Sequence, residues 1–201
     1  MNKQVKELLL QALETELGGV QIYKTALECA VNPELREEWE EYLDQTEQHV
    51  QIVKEMLAKV GIDEGEESEG RKIVKHLGEA LVETMTMALD AGDKQAAQLV
   101  ATEAVVCAET KDHANWELIG ETAKSLKGEE AKALKEAHDL VEDEEDEHLY
   151  HTKGWMRELW IESLGMKAVL PPPEEKKDVK TAIGAARAKA SRSKMAGKTK
   201  S

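Results

Sequence analysis

The chain has 201 residues, a formal net charge of −14 and 41% hydrophobic residues, enough for one buried core with residues left over. Four prolines, no phenylalanine and few β-branched or aromatic residues argue against a sheet core and favour helices. The charge is uneven: from Pro171 onward nine basic residues face three acidic ones, a net +6, and residues 1–170 carry −20, which excludes nucleic-acid or anionic-membrane binding by the body alone.

No apolar run approaches the ~20 residues of a membrane span. The opening residues lack the unbroken apolar stretch of a signal peptide, so a cytoplasmic protein is expected. Cys29 and Cys107 sit in apolar helical runs without close spacing. Buried free thiols are therefore expected, with no disulfide framework and no zinc site.

The 3.6-residue period marks five helical segments. The first runs from Lys3 to Ala30 and stops at Asn32–Pro33. Pro33 suits the first position of a second helix reaching Val60 and ending at Gly61. A polar loop over residues 63–70 leads to a shorter helix, Arg71 to Leu89, closed by residues 90–93. The fourth segment, Lys94 to Leu126, turns at Lys127–Gly128 into the fifth, Glu129 to Leu164, which ends at Gly165. Four long helices in two tight hairpins, joined by a crossover holding a short helix, form the plan of ferritin-like four-helix bundles. Pro171, Pro172 and Pro173 cannot continue a helix, and residues 171–201 read as a mostly disordered basic tail beside a 1–170 helical domain.

Function is read from polar residues on apolar stripes. The first helix gives Val5, Leu9, Ala12, Glu16, Gly19, Tyr23, Leu27 and Ala30, so Glu16 faces inward. The second gives Leu35, Trp39, Tyr42, Thr46, His49, Val53, Met56 and Val60, turning Thr46 and His49 inward. The fourth stripe, Leu99, Thr102, Val106, Glu109, His113, Trp116, Gly120 and Ala123, holds Glu109 and His113. The fifth, Leu134, His138, Val141, Glu145, His148, Thr152, Trp155 and Leu159, carries Glu145 and His148 as a Glu-x-x-His pair. His138 and His151 are expected to face solvent or to cap, and His76 belongs to the crossover.

Counting back from the turns sets His49 opposite Glu16 and brings Glu145 level with Glu109. Buried carboxylates and imidazoles at one depth are costly without a partner, and a pair of divalent or trivalent metal ions would satisfy them. The blander reading is an acidic solvated face, because residues 142–147 are all acidic.

In these positions the chain resembles the ferritin-like superfamily of ferritins, bacterioferritins, rubrerythrins and YciF-type stress proteins. Residues 42–50, TyrLeuAspGlnThrGluGlnHisVal, bring it closest to the YciF type. The resemblance covers about 160 residues in organisation. It implies single glutamates at Glu16 and Glu109, a complete Glu-x-x-His at Glu145 and His148, and a broken one at Thr46 and His49. It also implies iron or manganese, two ions per chain, and chemistry on oxygen or peroxide by a non-haem oxidoreductase of ferroxidase or peroxidase type. Thr46 stands where the pattern has glutamate, so Thr46, Glu47 and His113 are additional candidate ligands, and a site with one metal or none stays open.

The alternative is a bundle acting as a binding or structural protein, with or without a single metal. A homo-oligomer, most simply a dimer, is expected in either case. The basic stretch 176–200 could contact DNA phosphates, lie solvated, or fold back on the acidic body. There is no nucleotide loop, nucleophile elbow or Cys-x-x-Cys pair, which argues against kinase, hydrolase and thioredoxin-like chemistry.

Overall fold

The structure, a computed structural model, describes residues 2–175. These form five α-helices: α1 (Lys3–Cys29), α2 (Pro33–Lys59), α3 (Glu69–Asp90), α4 (Lys94–Ser125) and α5 (Gly128–Ser163), with no strand among the described residues. None of these helices is long and apolar enough to cross a membrane.

The ends follow local chemistry. Asn32 caps α2, its Oδ1 accepting from the Glu34 and Leu35 amides, while Pro33 opens the helix where no amide donor is required. Asp93 caps α4 in the same manner, through the Gln95 and Ala96 amides. Ser68 Oγ accepts from the Arg71 amide at 3.0 Å, so α3 begins at Glu69, two residues earlier than the sequence period suggests. Gly61, at φ +74°, takes the left-handed conformation that ends α2.

α1 packs against α2, α3 and α4, and α5 packs against α4 and α2, so α1, α2, α5 and α4 make a closed circuit of contacts. α3 lies outside it, against α1 and α4. Two apolar clusters form the core. One gathers Leu9, Leu13, Val53, Met56, Trp116, Ile119 and Leu134. The other gathers Ile22, Tyr23, Trp39, Tyr42, Val105, Trp155 and Leu159. The polar residues of the sequence stripes fall between them along the helices.

The hairpins are tied together at one end by Gln98 of α4. Its buried Oε1 accepts from the amides of Val31 (2.7 Å) and Asn32 (2.6 Å), the turn that joins α1 to α2. Those amides have no helical acceptor of their own, so the side chain replaces a missing backbone partner.

Three expectations change. Cys107 is exposed, and only Cys29 is buried. On α4 the buried face passes through Gln98, Ala101, Val105, Glu109, Asp112 and Trp116, leaving Leu99, Val106 and His113 only partly buried. α4 touches three helices, so its inward face is broad, and a single stripe drawn at four-residue steps drifts off centre. Finally, residues 171–175 lie on α5 and do not begin a disordered tail. Glu174 is buried against Gly154 and pairs with Arg157, while Pro172 and Pro173 are buried too. The rest of the expected tail, 176–201, lies outside the described residues.

Gln98→Leu keeps the apolar bulk but strands two amides. It should cost about 2 kcal/mol in urea denaturation, with the unfolding slope unchanged.

Candidate metal centre

Four helices deliver acids and imidazoles to one level of the core. α1 contributes Glu16, α2 His49, α4 Glu109 and Asp112, and α5 Glu145 and His148, all buried. Glu145 is the hub. Its Oε1 lies 2.9 Å from His49 Nδ1 and 3.5 Å from His148 Nδ1. His49 Nδ1 is 3.8 Å from Glu16 Oε2, and His148 Nδ1 is 3.8 Å from Glu109 Oε2. Two groups that could each hold a metal ion result: Glu16, His49 and Glu145, and Glu109, Glu145 and His148, with the ligand atoms of each group within 4.8 Å of one another. They share Glu145.

The two imidazoles stack at 5.7 Å between centroids, tilted by 26°. Their outward nitrogens are engaged. His148 Nε2 meets Gln45 Oε1 at 2.8 Å, and because a carbonyl oxygen only accepts, that nitrogen carries the proton. His49 Nε2 donates likewise to the Glu144 carboxylate at 2.8 Å. Both rings therefore present Nδ1 to the centre, as ring nitrogens do when an outer hydrogen bond orients a metal ligand.

The inner atoms have almost no partners. Glu16 Oε2, His49 Nδ1, Glu109 Oε2, Asp112 Oδ1, Glu145 Oε2 and His148 Nδ1 are all buried without a hydrogen bond. The close contact between His49 and Glu145 is an ion pair without hydrogen-bond geometry. The buried Tyr23 hydroxyl faces Glu109 without a well-formed hydrogen bond. Glu16 Oε1, by contrast, is anchored, accepting from Trp116 Nε1 at 2.8 Å. Orphaned polar atoms from four helices converging on one point are what a cation would satisfy, and the donor set of carboxylate and imidazole suits a first-row transition metal.

The electrostatics agree. Burial, then the Asp112 and Glu145 charges, pushes the Glu16 carboxyl well above the usual carboxylate range. Glu109 and Asp112 are pushed up the same way, by burial and then by Glu145. Burial also raises Glu145, but the His49 contact and the nearby imidazoles outweigh it and hold this carboxyl low. Burial opposes charging His49, yet Glu144 and Glu145 prevail and push it up to about 9. His148, fully enclosed, is held down to about 4 by burial. Without a cation these shifts favour an ionised Glu145 beside a protonated His49 and move Glu16, Glu109 and Asp112 towards their protonated forms.

All five residues expected as ligands, Glu16, His49, Glu109, Glu145 and His148, meet here. The three additional candidates do not. The Thr46 hydroxyl donates to the Tyr42 carbonyl at 2.8 Å, and its methyl rests 3.2 Å from where a Gly19 Cβ would stand. Glu47 is at the surface, paired with Lys24 Nζ at 2.9 Å. His113 stands at the rim, its Nε2 2.7 Å from Asp146 Oδ1. Asp112, missed in the sequence, takes the inward place; its signal was the three-residue step from Glu109, which competes with the four-residue step to His113. His151, expected to face solvent or to cap, is buried and bonds the Tyr42 hydroxyl at 3.0 Å. His138 is mostly enclosed against Gly120, and His76 is exposed.

Compared with known protein families, curated proteins and solved structures, the chain matches none.

Asp112 is unfavourable to the metal-free fold. A buried carboxyl whose pKa is raised by folding contributes stability that is full below its unfolded value near 4 and is lost as pH rises through the folded value. In EDTA at pH 8, Asp112→Asn should therefore be more stable than the parent by about 1–3 kcal/mol, and the gain should vanish towards pH 4 in urea titrations.

Proposed function

We propose that this chain is a ferritin-like four-helix bundle that binds a pair of divalent iron or manganese ions and handles oxygen or peroxide. The observation that carries the reading is the pair of ligand groups sharing Glu145, walled by buried atoms that have no other partner.

The residues fit such a pair. Glu16 and His49 would hold one ion, Glu109 and His148 the other, and the Glu145 carboxylate would serve both. Asp112 supplies the carboxylate that Thr46 lacks; with Glu16, Glu109 and Glu145 it brings four negative charges, which two divalent ions neutralise. When bound, the ions supply the electrons that reduce dioxygen or peroxide. The chain does the rest. Gln45 and Glu144 fix the imidazoles, Trp116 fixes Glu16, and the flanking apolar clusters exclude water. The Tyr23 hydroxyl keeps its proton, because burial and Glu109 raise its pKa, and stands at the edge of the site.

Thr46 favours the alternative of one ion or none, since its hydroxyl is committed to Tyr42. Metal analysis separates the readings. Protein purified without a histidine tag and loaded anaerobically with ferrous or manganous ions should hold about two ions per chain. Glu145→Ala combined with His148→Ala should hold none. One ion in the parent would assign an asymmetric site; none would overturn the proposal and leave a bundle that works by binding partners.

Metal uptake should also release protons, because His49 holds one up to about pH 9 and ligation needs its lone pair. Apparent affinity should rise roughly tenfold per pH unit for each proton displaced between pH 6 and 8, read by calorimetry in buffers of different ionisation heat.

A further inference from the structure

A second, unrelated space lies outside the helical circuit. Between α1, α3 and α4 is a cavity of about 360 Å³, open at one side. Ile22, Val74, Leu77 and Leu81 give it apolar walls, and Gly18 and Gly78 line it where α1 and α3 approach most closely. Cys107 and Thr84, both exposed, mark its mouth.

α3, which roofs this space, is poorly covered by the rest of the chain. Only Val74 and Met85 of its 22 residues are buried, while Ile73, Leu77 and Met87 are more than half exposed. An amphipathic helix covered this little has apolar surface still to satisfy.

One cation stands in the wall. Lys111 is partly buried, and its ammonium bonds Asn115 Oδ1, whose amide in turn donates to Thr15 Oγ1 at 3.0 Å. An ammonium has three donors, and among the described residues no carboxylate oxygen lies within ion-pair distance of this one. The only carboxylate lining the cavity, Glu14, is taken by Arg71 Nε at 2.8 Å. A largely apolar cavity, open at one side, whose wall holds one cation outside any ion pair is complementary to an apolar chain that carries one negative charge.

We infer that the α1–α3–α4 cavity binds the acyl chain of a medium-chain carboxylic acid, with the Lys111 ammonium receiving its carboxylate. The chain would cover Leu77 and Leu81 from water, which α3 by itself does not do. The cavity shares no lining residue with the metal centre, although Lys111 and its chain neighbour Asp112 attract each other.

Cys107 provides the readout. It is exposed at the mouth, whereas burial pushes the Cys29 thiol up to about 11, so alkylation with iodoacetamide at pH 7.5 reports Cys107 alone. Decanoate should slow that reaction saturably in the parent and in Lys111→Arg. Lys111→Met should need about tenfold more decanoate for the same protection, and the parent should need about tenfold more decanol, which lacks the charge. Circular dichroism checks that each variant is folded. Absence of saturable protection by decanoate in the parent, or equal protection of parent and Lys111→Met, would overturn the inference.

Discussion

Carboxyl groups from Glu16, Glu109, Asp112 and Glu145 share one buried level of the core with His49 and His148, and the surrounding structure accommodates that crowding. Like charges at this spacing cannot all ionise in an apolar surround. Only Glu145, in contact with both imidazoles, is held low; the other three are pushed towards their protonated forms. Such a layer is unfavourable to the empty fold and favourable to a cation, an opposition expected where a site serves binding more than stability.

The rest of the core compensates. Apolar clusters close the layer on both sides, with Trp116 from one side bonding Glu16 and Tyr42 from the other packed 4.2 Å from the His148 ring. Outward contacts to Gln45 and Glu144 hold the imidazoles from behind. The packing of the helices therefore sets the reach of each inward acid and imidazole, and Gln98 ties α4 to the α1–α2 turn at the end beyond Trp39 and Trp155.

How far the sequence could be read depended on how many neighbours each helix has. α2 packs mainly on α1 and α5, so its buried face is narrow, and Leu35, Trp39, Tyr42, Thr46, His49, Val53 and Met56 all lie where the period puts them. α4 is enclosed by three helices, and there the period alone could not separate Asp112 from His113. The outer partners Gln45 and Glu144 look like surface residues in the sequence, because they sit at the edge of their helix faces and reach the histidines only across the α2–α5 boundary. His151 was hidden for the same reason: Tyr42, which holds it, is 109 positions away in the chain.

Helix number and the inward placement of Glu16, His49, Glu109, Glu145 and His148 were legible in the sequence itself. Helix periodicity, capping residues and turn glycines are local properties, and hairpin length converts position into depth. Which acid on α4 faces inward, the role of His151, the exposure of Cys107 and the cavity under α3 were decided only by tertiary packing. Each depends on the rotation of one helix against two or three others, a quantity no single helix encodes.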